Sequence, residues 1–190
     1  MKGALYPVLA AGLFLAWSDT IQAKEIEGVK IPSERVVSGR RLYLNGAGLR
    51  SFVFLGVPVK VYVASFYSAS PLRSGRAVMA LPGPMQMNFT FLQSVGKAQV
   101  AAAWRAQFDA SASFTYPQLS ADKAAFVAMF GALKKGGVQT VEFDGETARV
   151  YDDGVFKGTI RGRDFQRAFL SIWFGSRPVT RELKQDLLGG

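Results

Sequence analysis

The 190-residue sequence contains no cysteine and no histidine. These two absences remove thiol nucleophiles, disulfides, Ser-His-Asp triads and the usual zinc sites. Any chemistry must come from Arg, Lys, Tyr, Ser, Thr or carboxylates. A carboxylate metal site would need clustered acids, and no EF-hand loop or grouped Asp motif is present, so neither a metal nor a cofactor is expected. Acidic residues are also scarce, at 14 against 23 Lys and Arg. The net charge of +9 favours an anionic partner. The basic residues are scattered, however, with no run and no basic stripe interleaved with aromatics. The charge therefore points away from nucleic acid and toward a small anionic ligand or an anionic surface.

Long apolar runs are missing except at the start. Residues 1–23, MKGALYPVLAAGLFLAWSDTIQA, combine Lys2, the apolar run Ala4 to Trp17 and a short polar stretch ending at Ala23. The run is shorter than the roughly 20 residues that cross a bilayer. It reads as a secretory signal peptide cleaved after Ala23, leaving one domain over 24–190 and no transmembrane anchor. Export without cysteine suggests a bacterial periplasm.

What is present after residue 24 is an alternation of short strand and helix signals. Glu25 to Leu55 holds several strands, and the Asn45-Gly46 pair reads as a hairpin turn with Gly46-Ala47-Gly48 supplying positive φ. Val57 to Phe66 is β-branched and aromatic. Simple alternation puts Lys60 and Tyr62 on one of its faces and Val59, Val61 and Val63 on the other. Ser68 to Gly75 reads as a loop, Pro82-Gly83-Pro84 as a break, and Met85 to Leu92 as an alternating strand. Ser94 is placed as the cap of a helix over Gly96 to Phe108, with Val100, Trp104 and Phe108 at four-residue spacing. A second helix is expected from Ser120 to Leu133. Three hairpin-linked strands follow, punctuated by Asp144-Gly145 and Asp152-Asp153-Gly154. A third helix begins after Arg163-Asp164, with Asp164 as cap, and carries Phe165, Phe169, Ile172 and Trp173 before Gly175 ends it. A last helix runs from Val179 to Leu188. This order predicts an α+β fold, an antiparallel sheet covered by helices.

The stretch LYLNGAGLRSF, residues 42–52, raises the functional question. A dinucleotide loop would need a third glycine where Ser51 stands, and a P-loop would need a Gly-Lys-Ser/Thr end, so phosphate cradling is excluded. Arg50 is either a solvated surface charge or, facing inward, a cation that requires a partner or awaits an anionic ligand. Tyr62 and Lys60 offer a phenol and an ammonium nearby. An Arg-Tyr pair in an apolar pocket would grip a carboxylate or phenolate. Trp104 and Trp173 belong either to the helix–sheet core or to the wall of a cavity.

The segment LNGAGLRSFVFLGVPVKVYVASFYS resembles the signature of chalcone isomerase-like proteins, and DFQRAFLSIWFGSRPVTRELKQDLLG is similar to the closing helices of that family's bacterial secreted branch. The resemblance spans roughly residues 25–189. It implies an open-faced β-sandwich with a ligand cleft between sheet and helices. Plant members of the family close chalcones to flavanones, whereas others bind fatty acids. Arg50 matches the arginine that stabilises the developing enolate in the catalytic members. The rest of the plant pattern departs. Its strand threonine falls on Tyr62, its threonine-methionine pair falls on Ile172-Trp173, and the helix region 95–103 lacks its tyrosine and asparagine. One electrostatic donor without its positioning partners loses several powers of ten in rate. The expected function is therefore binding of a small apolar anion, a fatty acid or an aromatic or phenolic acid, through Arg50, Tyr62, Ile172 and Trp173. The alternatives are an isomerase (intramolecular lyase) using Arg50 and Tyr62 on an enone, or a structural or interaction protein in which Arg50 only ties a turn to a carboxylate.

Overall fold

The computed structural model describes residues 24–111 and 118–190. The leader expected over residues 1–23 lies outside them. The chain forms β1 (Lys24–Ile26), β2 (Val29–Ile31), β3 (Glu34–Val37), β4 (Arg40–Phe54), β5 (Val57–Ser68), α1 (Gly75–Ala80), β6 (Met85–Phe91), α2 (Lys97–Ala110), α3 (Leu119–Ala128), β7 (Val138–Asp144), β8 (Thr147–Asp152), β9 (Val155–Arg161), α4 (Arg163–Phe174) and α5 (Arg181–Leu187). Strands β3 to β9 make one antiparallel sheet in sequential order, and β1 and β2 form a separate hairpin. The expected α+β architecture, an antiparallel sheet covered by helices, is what the chain adopts.

Period-two alternation builds the two sides of the sheet. Met85, Met87, Phe89 and Phe91 of β6 join the main core with Val100, Trp104 and Phe108 of α2 and Phe165, Phe169, Ile172 and Trp173 of α4. Between them on β6, Gln86 and Asn88 point the other way. Asn88 Nδ2 donates to Gln86 Oε1 at 3.0 Å, Gln86 Nε2 donates to Glu142 Oε1 at 3.0 Å, and Thr140 Oγ1 donates to Asn88 Oδ1 at 2.7 Å. Tyr67, Val63, Leu42 and Ile31 form a smaller cluster that seats the β1–β2 hairpin on this second side.

The glycine-rich stretch is not a turn. Residues 40–54 are one continuous 15-residue strand, and neither Gly46 nor Gly48 has positive φ. The turn lies further on, at Leu55-Gly56, with φ of 49° and 80°, the mirror-image pair that a two-residue hairpin requires. The glycines serve close approach instead. A Cβ on Gly46 would lie 2.1 Å from the Asp186 carbonyl oxygen, and one on Gly48 would lie 2.3 Å from Asp186 Oδ2. Helix α5 thus rests directly on the β4 backbone. Asn45, left over at a bulge between the Leu44–Tyr67 and Gly46–Phe66 pairs, locks this contact. Its Nδ2 donates to the carbonyls of Leu72 at 3.0 Å and Leu187 at 2.8 Å, and its Oδ1 accepts from the Leu72 N–H at 2.6 Å.

Helix ends differ from expectation for local reasons. Ser94 does not cap α2. Its Oγ accepts from the Lys135 N–H at 3.1 Å, and Gly96 takes the cap position, with its N–H held by Gln99 Oε1. Helix α3 stops at Ala128 rather than Leu133, because Leu133 exchanges both backbone hydrogen bonds with Val95 and is held extended. Gln118, not Ser120, precedes α3, and Gly162, not Asp164, precedes α4. The six-residue α1 lies between the expected loop over Ser68 to Gly75 and the break at Pro82-Gly83-Pro84, and it is too short to show periodicity. Ser74 caps its start, and Arg163 donates to the carbonyls of Ala80 and Leu81 at its end. Gly175 ends α4 as expected.

Candidate functional site

Arg50 and Tyr62 are directly opposite residues of β4 and β5, a cross-strand pair whose side chains share a face. Immediately beyond them the register shifts, because Ser51 pairs with Lys60 and Val61 is left over. This bulge reverses the alternation on which the sequence reading relied. Lys60 turns to the β1–β2 side, where its Nζ meets Glu27 Oε2 at 2.7 Å. Tyr62 turns to the helix side, where its hydroxyl accepts from Trp173 Nε1 at 3.2 Å. Lys60 and Tyr62 therefore do not act together, and Tyr62 alone accompanies Arg50.

The pair opens into a cavity of about 190 Å³ between the sheet and helices α2 and α4. Arg50 and Phe52 of β4 and Val61 and Tyr62 of β5 form one side of it. Phe89 and Phe91 of β6 form the floor, and Val100, Ala103, Trp104 and Gln107 of α2, with Val95 before it and Trp173 of α4, close the other side. The walls are stiff. Trp173 stacks on Phe89 at a centroid distance of 4.8 Å, Tyr62 meets Phe89 edge-on at 5.4 Å, and Trp104 is pinned by donating from Nε1 to Gln139 Oε1 at 3.0 Å. Both tryptophans are core residues and cavity walls at once, so the two readings of them merge. Ile172 stands apart. It is fully buried in the core and does not line the cavity, because neighbouring helix positions point about 100° apart and Trp173 takes the cavity side.

The polar groups are few and unevenly occupied. Among the described residues, the one partner of the Arg50 guanidinium is the adjacent Ser51 carbonyl, to which Nη1 donates. The structural alternative, an arginine tied to a carboxylate with no cavity beside it, is not what is seen. Burial pushes the Tyr62 phenol up to about 12, against the lowering influence of the Trp173 hydrogen bond and the Arg50 charge. The phenol is therefore neutral at physiological pH. Its oxygen is engaged by Trp173, and its proton remains available to an acceptor in the cavity. Gln107, not singled out from the sequence, supplies an amide at the cavity wall. It lies seven residues after Val100 and three after Trp104, so the helical period that marked the apolar stripe also placed it beside that face. No group of three or more acidic side chains that could hold a metal occurs among the described residues. One fixed cation, one neutral phenol and an aromatic box can hold an apolar molecule by its anionic end.

Comparison with known proteins agrees with this geometry at the level of the fold. A profile described as chalcone isomerase-like matches residues 23–189. A search of curated proteins finds no match. Among solved structures, the crystal structure of an Arabidopsis thaliana fatty-acid binding protein superimposes with a TM-score of 0.67 at 15% identity, covering 85% of this chain and 92% of that one.

Proposed function

The chain belongs to the chalcone isomerase-like family, and on that premise we propose that it is an exported binding protein for a small apolar anion, a fatty acid or an aromatic acid. The observation that carries this reading is the placement of Arg50. Among the described residues it is a guanidinium without a carboxylate partner, directly opposite a neutral phenol, at the rim of an aromatic cavity. The ligand's carboxylate receives Arg50 and the Tyr62 hydroxyl, and its apolar part lies against Phe89, Trp104 and Trp173. The fatty-acid ligand of the structurally similar plant protein supports the same class of molecule. An apolar cavity of about 150 Å³ takes up benzene, so the space here suits one aromatic ring or a short acyl segment, with any longer chain leaving by the mouth.

Export to a periplasm fits the leader-like residues 1–23 and the lack of cysteine. Native mass spectrometry of gently purified protein tests the binding reading. A co-purified acid is expected, with affinity reduced in Arg50→Ala. An empty protein whose fatty-acid affinity is unchanged by Arg50→Ala would refute it.

A further inference from the structure

The β4–β5 hairpin extends past the sheet that carries it. β3 pairs with β4 only as far as Tyr43, and β6 pairs with β5 only from Tyr62 onward. Among the described residues, 51–60 therefore form a two-stranded ribbon with no further strand on either side. This ribbon is apolar on both faces. Of the nine large hydrophobic side chains exposed among the described residues, five fall between residues 52 and 57: Phe52, Val53, Phe54, Leu55 and Val57. Leu55, at the tip, is 88% exposed. Phe52 apart, which lines the cavity, the fold's own packing does not call for them. The turn needs positive φ at Leu55 and Gly56, which a large side chain at position 55 does nothing to favour, and the register is set by the paired half of the hairpin. A contiguous exposed apolar projection of this kind marks an interaction surface.

Two features select the partner. The first is charge. The depressions on the two sides of the ribbon are lined by Arg50, by Lys135 and by Lys60, the last of which is paired with Glu27, the one carboxylate there, on a chain of net charge +9. An apolar tip flanked by cations is complementary to a bilayer whose headgroups carry negative charge and whose interior is hydrocarbon. The second is continuity. Phe52 belongs both to the ribbon and to the cavity wall, so the apolar surface runs without a break from the tip to the aromatic box.

We propose that the β4–β5 ribbon inserts its tip, Val53 to Val57, into an anionic lipid surface and sets the cavity mouth against it, so that an amphipathic acid passes between bilayer and cavity without crossing water. The transfer half of this statement rests on the binding function proposed above. The docking half does not.

The test separates them. The purified protein is sedimented with phosphatidylcholine vesicles with and without phosphatidylglycerol, alongside the double variant Phe54→Ser/Leu55→Ser, whose fold is checked by circular dichroism. Binding to the anionic vesicles that weakens with salt is expected, reduced at least about tenfold in the variant, as removal of one or more large buried side chains implies. A Phe54→Trp variant should shift its emission to the blue on these vesicles and not in buffer. Equal binding by the double variant overturns the docking. So does a concentration-dependent dimer in buffer that the double variant abolishes, which would make the tip a self-association surface. Titration with a fluorescent fatty acid in the absence of vesicles reports separately on the cavity. Loss of that signal in the native protein removes the transfer half and leaves the sedimentation result to decide the docking. An unchanged titration in the double variant is expected, because neither Phe54 nor Leu55 lines the cavity.

Discussion

The two ends of β4 use opposite means on the same strand. At the Gly46–Gly48 end, small residues let α5 touch the backbone, and Asn45 fastens strand, loop and helix with three hydrogen bonds. At the Arg50–Phe54 end, Arg50 and Phe52 border the cavity, and Val53 and Phe54 stand exposed, uncovered by any described element. The first end spends its residues on packing. The second leaves a guanidinium and an aromatic surface available. One strand thus both anchors the fold and borders the cavity, and its residues change in size where the role changes.

That contrast can be broken most severely at the glycines. Gly46→Ala is expected to cost about 3 kcal/mol or more, because the obstacle is the Asp186 and Leu187 backbone. Gly48→Ala meets the Asp186 side chain instead, which can rotate aside, and should cost about 1 kcal/mol. Urea unfolding of the two variants checks the ranking, and equal losses would mean that α5 is not seated as described. At the other end, Arg50→Ala should lower fatty-acid affinity about 10- to 100-fold, the worth of a charged hydrogen bond of ~1.5–3 kcal/mol. Its unfolding midpoint should hardly move, since the residue is only partly buried and, among the described residues, bonds only a neighbouring carbonyl. Isothermal titration and thermal melts, measured on the same samples, separate these effects.

Tyr62→Phe removes a neutral donor and should weaken binding by a smaller factor, about threefold to tenfold, for a net hydrogen bond of ~1 kcal/mol. The pH dependence sharpens the assignment. A phenol held at about 12 in the folded state and near 10 when unfolded binds its proton more tightly when folded. Its contribution to stability is therefore complete below pH 10 and lost as pH rises from 10 toward 12. Subtracting a Tyr62→Phe titration from the native one, followed by tyrosinate absorbance, should isolate one late-ionising tyrosine. A difference curve centred near 10 would place the hydroxyl in water. The smallest expected effect is catalytic. Chalcone absorbance should decay at the buffer rate, since Arg50 lacks most of the polar partners that the plant pattern supplies. A rate abolished by Arg50→Ala would instead favour the isomerase.

Much of this was readable before folding. The alternation in Met85 to Leu92, the four-residue spacing of Val100, Trp104 and Phe108, and the Asp-Gly turns all report local periodicities, and each element formed where its period placed it. Misreadings arose where a local signal had a non-local cause. Asn45-Gly46 has the composition of a hairpin turn, but its glycines answer to Asp186 and Leu187, some 140 positions away in the chain. Lys60 and Tyr62 alternate in phase on paper, yet one leftover residue at Val61 sends them to opposite sides. Ile172 and Trp173 are adjacent in the motif, and the roll of α4 admits only Trp173 to the cavity.

The sequence by itself determined the class of fold, through its hydrophobic periods, and the range of possible chemistry, through the residue types it lacks. It also singled out Arg50, because a cation between apolar residues has a desolvation cost that must be met or used. The tertiary structure decided which groups share the cavity with Arg50, because a bulge, a helix roll and a close helix–strand contact depend on chain segments far apart in sequence. It also decided that Arg50 has no carboxylate among the described residues, and this leaves the guanidinium able to receive a ligand's anionic end.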